Sequence, residues 1–246
     1  MTNLSDETTH HGPLQTFDPK AFVADNDVPQ DVCNFVLTLA LVYNDCKNGI
    51  FSNLLLTESK PPGKPELSRA WGVYSGIKVH YVRLHFALIH ELLNLISDNE
   101  PIIRHPFFVS VITLLPSTAR ESWDALVAAS LQKPTSSPLN KALLMVRNKV
   151  SFHYDPKELY RGYRWHFLRS LESTEPAFVS RSTNMRGSRF YFADAAADGY
   201  LQSLAENTDS STNRLADITA ELNRAIMQIV DRFIQKRGFA YKDYKD

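Results

Sequence analysis

The stretch from Trp71 to Leu95, WGVYSGIKVHYVRLHFALIHELLNL, decides the fold class of this chain. Trp71, Tyr74, Ile77, Tyr81, Leu84, Leu88, Leu92 and Leu95 recur mostly three or four residues apart, the spacing that lines one face of an α-helix. The pattern predicts a helix over Glu66–Ser97, ended by Asp98-Asn99-Glu100-Pro101. Upstream, Val32, Phe35, Val36, Leu39, Leu41, Val42 and Tyr43 predict a helix over Pro29–Thr57, stopped by the three prolines and one glycine between Ser59 and Pro65. Downstream, Pro116 divides two shorter helices over Pro106–Leu115 and Ser117–Leu131, with Ser117 or Thr118 as the cap of the second.

Beyond a Pro/Ser/Thr loop at 133–138, a helix is predicted over Leu139–His153. Asp155-Pro156 interrupts it, because the residue before proline disfavours helical backbone, and another helix follows over Lys157–Leu171. The last helix is read over Ala197–Lys236, with a polar stretch at Asn207–Asn213 where it could break. One segment does not read as helix. Phe178-Val179-Ser180-Arg181 and Ser188-Arg189-Phe190-Tyr191-Phe192 flank an Asn/Gly turn at 184–187, which suggests a small β-hairpin insertion near 178–192. The fold class is therefore all-α, an antiparallel helical bundle with that insertion. Residues 1–20 read as a disordered or loosely packed tail and 21–242 as a single helical domain. Residues 243–246 match the start of a common acidic epitope tag.

The chain has 246 residues, 43% of them hydrophobic and 22% charged, enough to bury a core without disulfides or metals. The net charge is zero, so only local charge can point to a partner. Cys33 and Cys46 lie thirteen residues apart in one apolar helix, which suits two core thiols in a reducing compartment better than a metal pair. The most apolar run, Val32–Tyr43, is too short to span a bilayer, and the polar N-terminus lacks a signal sequence. A cytoplasmic protein without membrane association is expected. There is no Gly-rich phosphate loop, no Gly-x-Ser-x-Gly elbow, no Cys-x-x-Cys pair and no helical array of carboxylates. His80, His85 and His90, five apart, fan around their helix and make a poor metal set.

Chemistry concentrates in Arg147-Asn148-Lys149-Val150-Ser151-Phe152-His153. Arginine carries a permanent planar fork suited to phosphate, and histidine titrates near neutral pH. Arginine followed at similar spacing by histidine also occurs at Arg83/His90 and Arg161/His166, but only Arg147 is followed by a polar residue, and only this pair ends a helix. Lys141 to Arg169 holds seven basic and two acidic residues, a local surplus of about +5. Phe152, Tyr154, Tyr160, Tyr163 and Trp165 are interleaved, and aromatic faces can stack unpaired bases. Most of these aromatics are expected to be core residues beneath a solvated charged face. Arg181, Arg186 and Arg189 could extend a basic groove.

The pattern Arg147-Asn148, four residues, His153 resembles the signature of HEPN-domain proteins, closely in the motif and loosely in its helical context. The resemblance implies an all-α bundle of HEPN type that dimerises, acting as a metal-independent ribonuclease without cofactor, possibly of the toxin, abortive-infection or phage-defence kind. Its partners would be RNA, a second copy of the chain and a cognate antitoxin or inhibitor protein. Arg147 would grip phosphate, His153 would serve as general acid or base, and Asn148 would orient His153 or the phosphate. Ser151 and Tyr154 are supporting candidates. Lys149, Lys157, Arg161 and Arg164 are candidate RNA-binding residues. Attack by the ribose 2′-oxygen would leave a 2′,3′-cyclic phosphate. In a regular helix residues six apart are offset by about 120°. The motif therefore requires a helix distorted near Phe152 or a cleft shared by two subunits. Two other readings stand beside it. One is a non-catalytic helical interaction module, such as a degenerate HEPN protein that binds a protein partner or nucleotide. The other is purely structural, with Arg147 in a surface ion pair and His153 capping a helix C-terminus.

Overall fold

Helices account for nearly all the regular structure, and they group into two compact units interleaved along the sequence. The structure is a computed structural model and describes residues 14–63, 68–169, 177–183, 188–205 and 211–243. Its elements are β1 (Gln15–Thr16), α1 (Gln30–Glu58), α2 (Arg69–Asp98), α3 (Glu100–Ile103), α4 (Pro106–Ile112), α5 (Ser117–Ser130), α6 (Pro138–Val146), a π-helical turn at Arg147–Ser151, α7 (Pro156–Phe167), α8 (Tyr191–Ala205), α9 (Ser211–Lys236) and β2 (Lys242–Asp243). The first unit takes Met1–Asn48, Glu91–Gln132 and Ala216–Asp246, and the second takes Gly49–His90 and Lys133–Leu215. Three of the divisions fall inside α1, α2 and α9 rather than in linkers.

The first unit is held by an aromatic core. Phe108 of α4 lies edge-on to Phe35 of α1 at 5.5 Å and to Trp123 of α5 at 5.7 Å. Ile226, Ile229 and Phe233 of α9 are fully buried, and Phe233 also meets Phe22 and Phe107. The helical repeat read for α9 therefore faces the core as its spacing requires. Cys33 and Cys46 are buried free thiols, and burial pushes Cys46 up to about 12. Leu41, grouped with the apolar face of α1, is instead exposed. The cap of α5 also differs: Pro116 occupies it, and no side chain bonds the first turn.

Both chain ends of this unit carry more structure than the sequence suggested. β1 pairs antiparallel with β2, Gln15 opposite Asp243 and Thr16 opposite Lys242, and Gln15 Nε2 donates to Asp243 Oδ1 at 3.0 Å. A short 3-10 helix at Pro19–Phe22 follows, capped by Asp18. Residues 14–20 are all exposed, and Asp243 belongs to a strand pair.

In the second unit α6 starts at Ser137, whose hydroxyl accepts from the Asn140 amide at 3.2 Å, with Pro138 in the first turn. Asp155 caps α7 in the same way, accepting from the amides of Lys157 and Glu158. α7 and α8 cross at two glycines. A Cβ on Gly162 would stand 2.0 Å from the Ala196 carbonyl oxygen, and one on Gly199 would stand 2.4 Å from that of Gly162. Only glycine permits so close a backbone approach.

The hairpin near 178–192 reduces to one antiparallel bridge, Ser180 with Arg189, closed by backbone bonds of 2.8 and 2.9 Å. Tyr191 and Phe192, read as its second strand, instead open α8, six residues before the helix start expected at Ala197. The turn at 184–187 lies outside the described residues, as do residues 1–13 and 244–246.

Candidate functional site

α6 does not run on as a regular helix into the Arg147–His153 stretch. From Arg147 the backbone widens into a π-helical turn, in which the Phe152 amide donates to the Arg147 carbonyl at 3.3 Å, five residues back. Such turns are rare and recur at functional sites, because each opens the regular ladder by one residue. The packing behind it explains the register. Val146 and Val150 are both buried against Tyr200 of α8, with Phe86, Met145, Leu201 and Leu204 around them. Burial pushes the Tyr200 hydroxyl up to about 12. Ser151 is buried too, and its hydroxyl donates to the Arg83 carbonyl of α2 at 2.9 Å.

On the outer side of the turn Arg147 Nη1 donates to Asn148 Oδ1 at 2.8 Å. Asn148 therefore orients the guanidinium rather than the histidine. His153 and Tyr154 are exposed just past the turn, and among the described residues His153 makes no hydrogen bond or ion pair. The helix C-terminus is closed by the Phe152 amide, so His153 is not its cap.

Lys149 is held elsewhere: its ammonium reaches Asp155 Oδ2 at 2.6 Å. That hydrogen bond holds Asp155 below the usual carboxylate range and Lys149 above the usual amine range. Lys157, Arg161 and Arg164 are exposed on α7, and Arg161 lies 3.6 Å from Glu158. Three aromatics that could have been core are not. Phe152, Tyr154 and Tyr160 are 53%, 72% and 59% exposed, so flat apolar faces stand in water among these cations. Tyr160 and Tyr163 lie nearly parallel, 6.4 Å apart. Arg189 does not extend this surface, since it is paired with Asp194 at 2.9 Å, and Arg186 lies outside the described residues.

Sequence reasoning missed Tyr200, Arg83 and the Gly162/Gly199 crossing, which set the position of the turn and of α7. The glycines carried the one available signal, isolated glycine inside helical pattern. His85 is half-buried, and the lost hydration pushes its imidazole down, and no group of three metal-ligating side chains occurs among the described residues. No helix among them is long and apolar enough to cross a membrane. No family model matches the chain, and neither a curated protein nor a solved structure matches it.

Proposed function

We propose that this protein is a metal-independent endoribonuclease of HEPN type. The observation that carries the reading is the π-helical turn, which presents an Asn148-oriented arginine and an exposed histidine on a basic, aromatic surface. Arg147 binds the non-bridging phosphate oxygens through its fork. His153 takes the proton of the ribose 2′-hydroxyl. The 2′-oxygen then bonds to phosphorus as the bond to the 5′-oxygen breaks. The leaving oxygen receives a proton from a second acid, which the same histidine of a second copy supplies. The products are a 2′,3′-cyclic phosphate and a 5′-hydroxyl. Lys157, Arg161 and Arg164 hold the RNA backbone, while Tyr154 and Tyr160 stack unpaired bases. A role as toxin or phage-defence effector, with a cognate inhibitor, follows from the family resemblance alone.

The test is purified protein with labelled RNA in EDTA, beside Arg147→Ala and His153→Ala. Cleavage lost in both variants supports the site, and unchanged cleavage in both overturns it. One observation favours the rival, a non-catalytic interaction module. Lys149, the cation between Arg147 and His153 in the chain, is committed to Asp155. That reading predicts RNA binding or protein binding with no cleavage by any variant.

A further inference from the structure

Three exposed residues, Phe152, His153 and Tyr154, carry the chain from the π-helical turn to Asp155, the cap of α7. Exposed side chains gain no fixed position from packing, so the backbone that bears them must be held from its ends. Before the loop, the Ser151 hydroxyl donates to the Arg83 carbonyl at 2.9 Å, and the Phe152 amide donates to the Arg147 carbonyl at 3.3 Å. After it, Asp155 is tied back to Lys149 twice. Its amide donates to the Lys149 carbonyl at 2.9 Å, and its Oδ2 accepts from the Lys149 ammonium at 2.6 Å. The other carboxylate oxygen has a separate task. Oδ1 accepts from the amides of Lys157 and Glu158, at 3.0 and 3.4 Å, where α7 begins. One side chain therefore joins the π-helical turn to the next helix and closes the loop between them.

Lys149 belongs to the basic stretch by sequence, but its ammonium is held against a carboxylate. A phosphate would have to displace Asp155 to reach it. A half-buried ion pair of this kind adds little to global stability, so its effect is local, on the path of the loop.

We propose that Lys149 and Asp155 are positioning residues of the RNA-cleaving site, their link fixing the Phe152–Tyr154 loop and with it the place of the His153 imidazole. The proposal rests on the ribonuclease reading, and it reassigns Lys149 from the RNA contact that its charge suggested. Misplacing a reacting group by about 1 Å costs up to about 10²-fold in rate. A loop freed at one end is therefore felt in turnover, not in RNA binding.

The test uses the full chain with Lys149→Met, Asp155→Asn and the double variant, in EDTA with an RNA of defined sequence. In Asp155→Asn the amide oxygen keeps the cap of α7, while the NH₂ group turned to Lys149 has no lone pair to offer it. Each single variant is expected to lower kcat about ten- to a hundredfold, with KM and its salt dependence unchanged. The double variant should be no slower than either single one, because both break one link. Hydrogen exchange should quicken at the amides of residues 152–155 and stay slow in α2 and α8, which shows that the variants are folded. A lysine that contacts phosphate predicts the reverse. Lys149→Met would then raise KM and remove about one phosphate contact from its salt dependence, while Asp155→Asn, which frees the ammonium, would lower KM. That pattern overturns the proposal, as do unchanged kcat, additive losses or unchanged exchange in the loop. If the parent protein leaves RNA intact, the ribonuclease reading falls and the positioning role falls with it. If the parent cleaves and the variants match it, the positioning role alone falls.

Discussion

The second unit places charge beside aromatic rings twice, with opposite results. At the π-helical turn the charges are basic, the rings Phe152, Tyr154 and Tyr160 are exposed, and the face opens to solvent. In a cavity between α2, α7 and α8 two carboxylates, Asp194 and Asp198, share the lining with the rings of Trp71, Tyr191 and Phe192. Water is what separates the two. On the open face a charge is well solvated and costs little, so it is free to meet a large polyanion. In the cavity a charge loses part of its water and must be met by the protein, as Arg189 meets Asp194 and the Gln202 amide meets Asp198. The first arrangement suits a polymer that lies across a surface, and the second leaves a space of small-molecule size.

The comparison can be broken by separating activity from stability. The open face should tolerate substitution in stability but not in activity. His153→Ala is expected to slow RNA cleavage about 10²–10⁴-fold, with its melting temperature unchanged because His153 is exposed and makes no hydrogen bond among the described residues. A large loss of stability would mean that the histidine is structural.

The packed side should behave in the opposite way. Gly162→Ala drives a Cβ into the Ala196 carbonyl. It should cost about 1–3 kcal/mol or more, read as a lower denaturation midpoint. Tyr200→Phe removes a buried hydroxyl that has no hydrogen-bond partner among the described residues. It is expected to leave stability equal or raise it by up to about 1 kcal/mol, and a marked loss would reveal a partner for that hydroxyl.

The smallest effect belongs to the half-buried Lys149–Asp155 link. Asp155 is lowered in the folded state, so its contribution is complete above the ordinary carboxylate value of about 3.9 and is lost as pH falls through its depressed value. Lys149 is raised, so its contribution is complete below the ordinary lysine value of about 10.4 and is lost as pH rises through its elevated value. Lys149→Met should therefore melt slightly below the parent between roughly pH 5 and 9, and the gap should close in strong acid. A gap that persists in acid would show that the pair is not its source.

The helices were legible because apolar spacing reports a buried face, as α9 shows from Leu215 to Phe233. The π-helical turn was legible only as a contradiction. The motif's two ends could not share a face of a regular helix, and the backbone does depart from one at Arg147. Spacing cannot place that departure, because Tyr200 and Arg83, which hold it, come from distant parts of the chain. The hairpin reading failed at Tyr191 and Phe192 because aromatic residues that suit a strand also suit the first turn of α8, where they wall the cavity. The cavity left no mark on the sequence, since its walls are separated by about ninety residues along the chain.

The central claim is tested most directly by the chemistry of the RNA ends. The protein is incubated with an RNA of defined sequence in EDTA, and the fragments are weighed by mass spectrometry. The account predicts 2′,3′-cyclic phosphate and 5′-hydroxyl ends, with no cut where the ribose before the scissile phosphate is 2′-deoxy. Fragments with 3′-hydroxyl and 5′-phosphate ends, or intact RNA, would contradict it.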